Sequence, residues 1–418
     1  MKIAVIGSGV SGLTCAYTLA RAHDVNVYEA DSRLGGHANT IDVNNNGRSM
    51  PIDTGFIVFN EKNYPLLCAL FDELGVRSEM SNMSFSVHCE RTGREWNGSS
   101  LNQVFAQRSN LLRPSHWTML RDIVNFHSDA EREFLTLDER ETVSDWVQRM
   151  RYSASFLNYY LLPLGASLWS CSSSTFGSFP IRFVIEFLRN HHMLQVEKRP
   201  MWRTVSGGSR EYVKRITEPF AHRIRLETPV KRVKRTAQGI VVTDWNNNAE
   251  LFDEVVLAVH ADQALQMLSL PDDDERDVLS AFPYQKNLAV LHHDTSLLPS
   301  RPSAWASWNF RNPQDSSEDV NVTYNMNLLQ NLDSEQTWCV TLNPGSRVNR
   351  EKIEQVFEYH HPLFTTGRAE AQARHTEMVR RDGLSFCGAY WGFGFHEDGV
   401  RSALDVCAAF DVDLRMVA

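Results

Sequence analysis

The first forty residues, MKIAVIGSGVSGLTCAYTLARAHDVNVYEADSRLGGHANT (1–40), decide the fold. Lys2 to Ile6 is a short β-branched run of the kind that forms a buried parallel strand, and Leu13 to Ala22 has the small and apolar residues of a helix packed on it. Between them Gly7 allows a tight turn, Gly9 lets backbone approach a pyrophosphate, and Gly12 permits close helix-to-strand packing. Phosphates held by such a turn meet Val10 and Ser11 at a helix N-terminus, where free amides and the helix dipole favour anions. A second strand, Val25 to Tyr28, leads to Glu29 and Ala30, and Glu29 stands where a carboxylate binds a ribose hydroxyl. The expected class is therefore an α/β dinucleotide-binding protein.

The residues after Glu29 select among dinucleotides. A nicotinamide domain would continue into further strand-helix units, whereas RLGGHANT runs into MPIDTGFIVFN (50–60), so the chain turns back over the nucleotide. Gly35 and Gly36 offer a surface without side chains, and Asp53, Thr54 and Gly55 offer another turn of little bulk. Here the sequence resembles the flavin-dependent amine oxidase superfamily, which includes phytoene desaturases and protoporphyrinogen oxidases and carries an acid-x-x-x-R-x-GG stretch after its glycine turn. The matching positions are Gly7, Gly9, Gly12, Glu29, Arg33, Gly35 and Gly36. The resemblance implies FAD as cofactor and a Rossmann-like FAD domain with an inserted α+β substrate domain.

Three later segments fit the same resemblance. WRTVSGGSREYVKRI (202–216) has a glycine pair and a following helix, and the resemblance places Val230 beside the adenine end of FAD. GLSFCGAYWGFGFHEDGVRSALDV (383–406) looks like the superfamily's last flavin motif, with Gly388, Ala389, Gly399 and Val400 near the cofactor. The family usually has Arg after its second early glycine, where this chain has His37, and Gly-Asp after the last strand, where it has Gly388-Ala389. Contacts to the phosphates or ribityl chain are therefore expected to differ. The same features are similar to bacterial flavoproteins that resemble the oxidase-like N-terminal region of plant cyclopropane fatty acid synthases. That narrower resemblance implies an acyl-lipid context and a lipid-modifying methyltransferase as a candidate partner.

Because the nucleotide motifs are scattered, the FAD domain is expected from residues 1–80, 201–276 and 376–418, and the substrate domain from 81–200 and 277–375. The first insert reads helical in 115–135, in 142–150 capped by Thr142, and in 181–192; the second reads as strands in 286–294, 320–326 and 337–342. Val230 to Arg235, VKRVKR, reads as an alternating strand with one solvated face. Phe156 to Trp169, broken by Asn158, Pro163 and Gly165, reads as buried helix and turn, too short to span a bilayer.

Flavin chemistry needs a substrate C–H bond held near N5, while the protein positions and desolvates. The expected reaction is hydride removal from an apolar, acyl-type substrate, with amine oxidation and non-catalytic FAD binding as alternatives. Phe395 matches one cage aromatic of amine oxidases or serves as helix packing. Lys286 resembles their lysine that holds a water near N5, or is a solvated strand residue. Tyr390 and Trp391 are placed to close the pocket, and His396 with Glu397 to relay a proton. Tyr159, Tyr160, Trp169, Trp305, Trp308, Phe310 and Tyr324 are core residues singly, or together line an apolar pocket.

Composition sets the outer bounds. With 418 residues, 42% hydrophobic and 22% charged, the chain can bury two cores. A net charge of −9 without clustered Lys and Arg speaks against nucleic acid. Seven cysteines without a C-x-x-C pair imply neither a disulfide framework nor zinc, and adjacent His292 and His293 would face opposite ways on a strand, so no metal site is expected. With no room for a signal peptide before Lys2, a cytoplasmic location is expected. A basic segment around Arg108, Arg113, His116 and Arg121 reads as a solvated face or a peripheral membrane contact.

Overall fold

The computed structural model describes residues 1–45, 47–194, 200–312, 321–365 and 367–414. A five-stranded sheet gathers Ile224–Arg225, Asp24–Tyr28, Lys2–Ile6, Glu254–Leu257 and Leu384–Phe386 in that spatial order, all parallel. Ile3, Val5, Val255 and Val256 are inaccessible to solvent because both sheet faces are covered, which is why the central strands carry the apolar runs Ile3–Ile6 and Val255–Leu257. Helices Val10–Leu19 and His396–Ala408 pack together on one face. On the other lies an antiparallel sheet of Val230–Thr236, Gly239–Asp244 and Ala249–Phe252. Its first strand is not a simple alternation: a register shift between Val230 and Arg232 leaves Lys231 and Arg232 both outward while Val230 and Val233 face the core.

Strands from both intervening stretches share a second sheet. Its order is Ile353–Pro362, Tyr284–His292, Cys339–Leu342, Asn321–Asn325, Trp308–Asn312, Phe85–Cys89 and Arg94–Asn97. Trp308–Asn312 runs parallel to Phe85–Cys89, the seam between the two stretches. Val320, assigned to a strand from sequence, lies outside the described residues. His292 is fully buried and shares a hydrogen bond with Thr341 Oγ1 at 2.7 Å.

The helices of the first stretch close a third core around Phe126, Trp146, Phe156, Trp169 and Phe187. Helix Val143–Met150 starts at Thr142, whose hydroxyl accepts the Asp145 N–H at 3.2 Å while the Asp145 carboxylate accepts the Thr142 N–H at 3.3 Å. The segment 154–169 does not break as its sequence suggests. Ala154–Phe156 continues through a π-turn at Leu157–Leu161 into Leu162–Trp169, which absorbs Asn158 and seats Pro163 in the first turn of the following helix. A side chain at Gly165 would fall 2.1 Å from the Phe176 ring. Gly165→Ala is expected to lower stability by about 1–3 kcal/mol, read from denaturant unfolding.

Candidate active site

At the carboxyl end of the parallel sheet the chain builds a cradle from its turns. Gly7 has φ +103, and a Cβ there would meet the Ala258 carbonyl oxygen at 2.6 Å; one at Gly12 would meet the Gly7 oxygen at 2.0 Å. Gly9 differs. It caps helix Val10–Leu19 with φ −68 and ψ 179, a conformation open to any residue, and a Cβ on it would meet nothing within 4 Å. Gly36 lies across from it, its own Cβ position 3.2 Å from Gly9 Cα, and Gly35 donates its N–H to the Ser8 carbonyl at 3.0 Å. Gly399 of the last helix presses on Val10 and Ser11.

Glu29 ends the neighbouring strand, and its carboxylate accepts the Ser8 N–H at 2.9 Å, the Ser8 hydroxyl and the Asp31 N–H at 2.8 Å. Ser8 was not legible as a site residue; only its place between two required glycines hinted at it. Val230 is buried nearby, because Thr228 just before it donates to the Glu29 carbonyl at 2.8 Å. Ala30 is exposed. Arg33 pairs with Asp31 at 3.5 Å, but its Nη1 is buried without a partner, as is His37 Nε2. Gly55 packs on the His37 carbonyl, which accepts the Phe56 N–H at 2.7 Å. A glycine kept bare for no conformational reason, a helix N-terminus, an oriented carboxylate and unmatched buried nitrogens on Arg33 and His37 together fit a dinucleotide.

Beyond the cradle lies a group of uncharged imidazoles. His37 stacks on Tyr359 at 4.9 Å and stands 5.3 Å from His361. Fully buried Asn287 contacts His361 Nδ1 at 3.1 Å and accepts Asn343 Nδ2 at 2.7 Å. His260 stacks on Tyr284 at 4.3 Å, and His396 stacks on Phe56 at 3.7 Å while meeting the Tyr212 hydroxyl at 3.2 Å. Burial pushes His260 and His361 down to about 4, His396 to about 3, and His37 well below its ordinary range. All are neutral at pH 7, so this wall offers hydrogen bonds without charge.

Several sequence expectations change here. Lys286 points away from the imidazoles, with its side chain 56% exposed and its Nζ 2.5 Å from Glu358. Side chains alternate along a strand, so its neighbour Asn287 faces inward instead. Lys286→Met is expected to leave the rate of flavin reduction within about twofold, whereas Asn287→Ala slows it about tenfold or more by freeing His361, both read by stopped-flow absorbance. Tyr390 and Trp391 turn into the core, Tyr390 at 4.9 Å from Phe282 and Trp391 at 4.3 Å from His375. Phe395 stacks on Phe187 at 5.1 Å and lies 5.7 Å from His191, so one of its faces is covered. His396 and Glu397 diverge: Glu397 accepts the Leu66 and Leu67 N–H groups at 3.0 Å, capping helix Pro65–Glu73, and no relay joins the two. The Thr54 hydroxyl is taken by Tyr359 at 2.8 Å and by the Asn39 carbonyl at 3.1 Å. Gly388 is held from both sides by Ser402, with Ala389 starting the next turn. Val400 is in the core.

A cleft of about 360 Å³ reaches Phe393 and Phe395 between helix Pro65–Glu73, the end of helix Ile181–Asn190 and the start of the last helix. Lys62, Arg189 and Arg401 line it with Glu397 and Asp398. Both carboxylates are already engaged, Asp398 by the Phe395 N–H at 3.0 Å and by Arg401 at 3.1 Å.

A parallel nucleotide sheet closed by the last helix, with a second mixed sheet beside it, defines an α/β dinucleotide-binding protein. The chain belongs to the flavin containing amine oxidoreductase family, whose sequence pattern matches residues 10–293, and its cofactor is FAD. A Mycobacterium tuberculosis protein with the provisional name flavin-containing monoamine oxidase AofH is 25% identical over 270 residues, covering 60% of this chain and 55% of that one. The chain thus spans about half the length of the curated relatives it matches. Cyclohexylamine oxidase from Brevibacterium oxydans IH-35A shares the fold with a TM-score of 0.70 at 15% identity over 98% of both chains. A CLA-producing fatty acid isomerase from P. acnes does so with a TM-score of 0.67 at 14% identity, again over 98% of both.

Proposed function

We propose that the protein is an FAD-dependent oxidoreductase that takes hydride from a carbon of an apolar, acyl-type substrate bearing an anionic head group. The bound flavin would supply the hydride acceptor at N5. The chain's residues would hold the pyrophosphate over Gly9 and Gly36, orient the ribose at Glu29, and exclude water with Tyr359, Phe56 and the neutral imidazoles. The carrying observation is the charge of the cleft at Phe395. Both cleft carboxylates are bound within the protein, Arg189 is paired with Glu131 at 2.9 Å and Arg401 with Asp398 at 3.1 Å, so the charge left to meet a substrate is the Lys62 ammonium and a substrate ammonium meets no free counter-charge. A carboxylate or phosphate head would be drawn to Lys62, whose nearest partner is His192 at 3.4 Å. The fold accommodates both substrate classes, since a fatty acid isomerase and an amine oxidase share it, so the choice rests on the charge of the cleft.

The test is anaerobic reduction of the holoenzyme, followed in the visible flavin band, with an unsaturated fatty acid, an acyl phospholipid and a panel of primary amines added separately. Bleaching by either acyl compound is the expected result. Bleaching by amines alone would overturn the substrate class, and none by any compound would overturn the catalytic reading.

A further inference from the structure

Residues 101–124 place an unusual set of side chains on one surface. Leu101 is 82% exposed, Leu112 87%, Trp117 50% and Val124 63%. Helix Pro114–Glu133 turns Met119, Phe126 and Ala130 to the core and leaves Trp117, Arg121 and Val124 outward, four and three residues apart. The indole of Trp117 is fixed in place. Its Nε1 donates to the Leu111 carbonyl at 3.0 Å and its ring rests on Phe105 at 5.2 Å, so burial in the protein interior is not its role. The short helical turn Arg108–Leu112 presents Leu111 and Leu112 beside it, with Arg108 anchored to Asn102 at 2.6 Å.

The charge of this surface is as selective as its apolarity. No acidic residue occurs between Glu95 and Asp122, in a chain with 51 acidic residues and a net charge of −9, while Arg108, Arg113 and Arg121 fall inside that window. Asp122 is itself buried, binding the Ser153 N–H at 3.0 Å as well as Arg121. His116, grouped with the arginines in sequence, is not part of this surface: it is fully buried against Phe105 at 5.4 Å, and burial pushes it down to about 4.

We propose that this surface docks on an anionic lipid bilayer, with Leu101, Leu111, Leu112 and Trp117 entering the interface and the arginines meeting lipid phosphates. Exposed leucine and tryptophan beside arginine suit the boundary between head groups and acyl chains, and anionic lipid adds attraction for each cation near the surface. A second copy of the chain fits less well, because two-fold pairing of the same patch sets arginine against arginine. The inference does not rest on the substrate reading, since docking is read without turnover.

The test is flotation of the holoenzyme with vesicles of phosphatidylcholine alone and with roughly one-third phosphatidylglycerol. The protein is expected to float with the anionic vesicles and to be partly released at about 0.5 M salt. Leu112→Glu with Trp117→Glu should cut the floated fraction about tenfold with the flavin spectrum unchanged. Arg108→Glu with Arg113→Glu should remove the preference for anionic lipid, and Leu270→Glu, 80% exposed elsewhere, should change nothing. Absence of flotation, equal flotation of the Leu112/Trp117 variant, or light scattering showing a dimer that this variant dissolves would each overturn the proposal.

Discussion

A Gly9→Val protein is expected to purify folded but colourless. Valine fits the backbone at φ −68 and ψ 179, and no heavy atom lies within 4 Å of the new Cβ. Loss of the favoured helix cap should cost no more than about 1 kcal/mol. The added methyls instead occupy the space through which the pyrophosphate must reach the helix amides, so FAD affinity should fall at least about 100-fold, or about 2.7 kcal/mol. Gly12→Val is the contrasting variant, because its Cβ collides with the Gly7 carbonyl oxygen at 2.0 Å and the fold itself should fail. The readouts are FAD titration and the melting temperature of the apoprotein. A Gly9→Val protein that retains full FAD affinity would remove Gly9 from the cofactor site.

Asp53→Ala should give the largest loss of stability among single polar substitutions. The Asp53 carboxylate has no solvent exposure and accepts from Ser209 N–H at 2.9 Å, Ser209 Oγ at 2.7 Å, Thr40 Oγ1 at 2.6 Å and Gln330 Nε2 at 3.0 Å. It thereby ties the hairpin Thr40–Asn45 and Arg48–Asp53 to the glycine loop before helix Arg210–Thr217 and to the second sheet's layer. Removing it takes the acceptor from four donors, three of them on buried Ser209 and Gln330, a cost of about 3–5 kcal/mol. Burial raises its carboxyl to about 6, above the unfolded value, so the proton favours the folded state. That contribution is complete below about pH 4 and is lost as pH rises through 6, amounting to about 3 kcal/mol at neutrality. Denaturant unfolding should therefore show a larger gap between wild type and Asp53→Ala at pH 5 than at pH 7. Equal gaps would mean that the carboxyl ionises in the folded protein as it does unfolded.

The nucleotide half was legible in sequence because its glycines answer steric demands that no other residue meets, as at Gly7 and Gly12. The order of the motifs then carried the family and the cofactor. Orientation was not legible. Lys286 and Asn287 are both polar, so nothing in the sequence says which one faces His361, and the two faces differ only once Ile353–Pro362 pairs alongside in its particular register. Tyr390 and Trp391 suit a pocket or a core equally well until Phe282 arrives from a distant part of the chain and His375 folds back onto the indole. His396 and Glu397 are adjacent, but successive helix residues point about 100° apart, and each found a different partner. The bulge after Val230 and the π-turn at Leu157–Leu161 are local concessions to packing that a periodic pattern does not encode.

Helix Val10–Leu19 and helix His396–Ala408 meet where Cys407 Sγ lies 3.8 Å from Cys15 Sγ, across 392 positions of chain. During synthesis the strand Lys2–Ile6 and its helix emerge long before their partners Glu254–Leu257, Leu384–Phe386 and the closing helix. Such high contact order slows folding and leaves the early apolar faces of Leu13, Ala16 and Leu19 in need of shelter on or off the ribosome. FAD would then act as a clasp as well as a reagent: supplied during refolding it should raise the yield of native protein, because it binds only the assembled state.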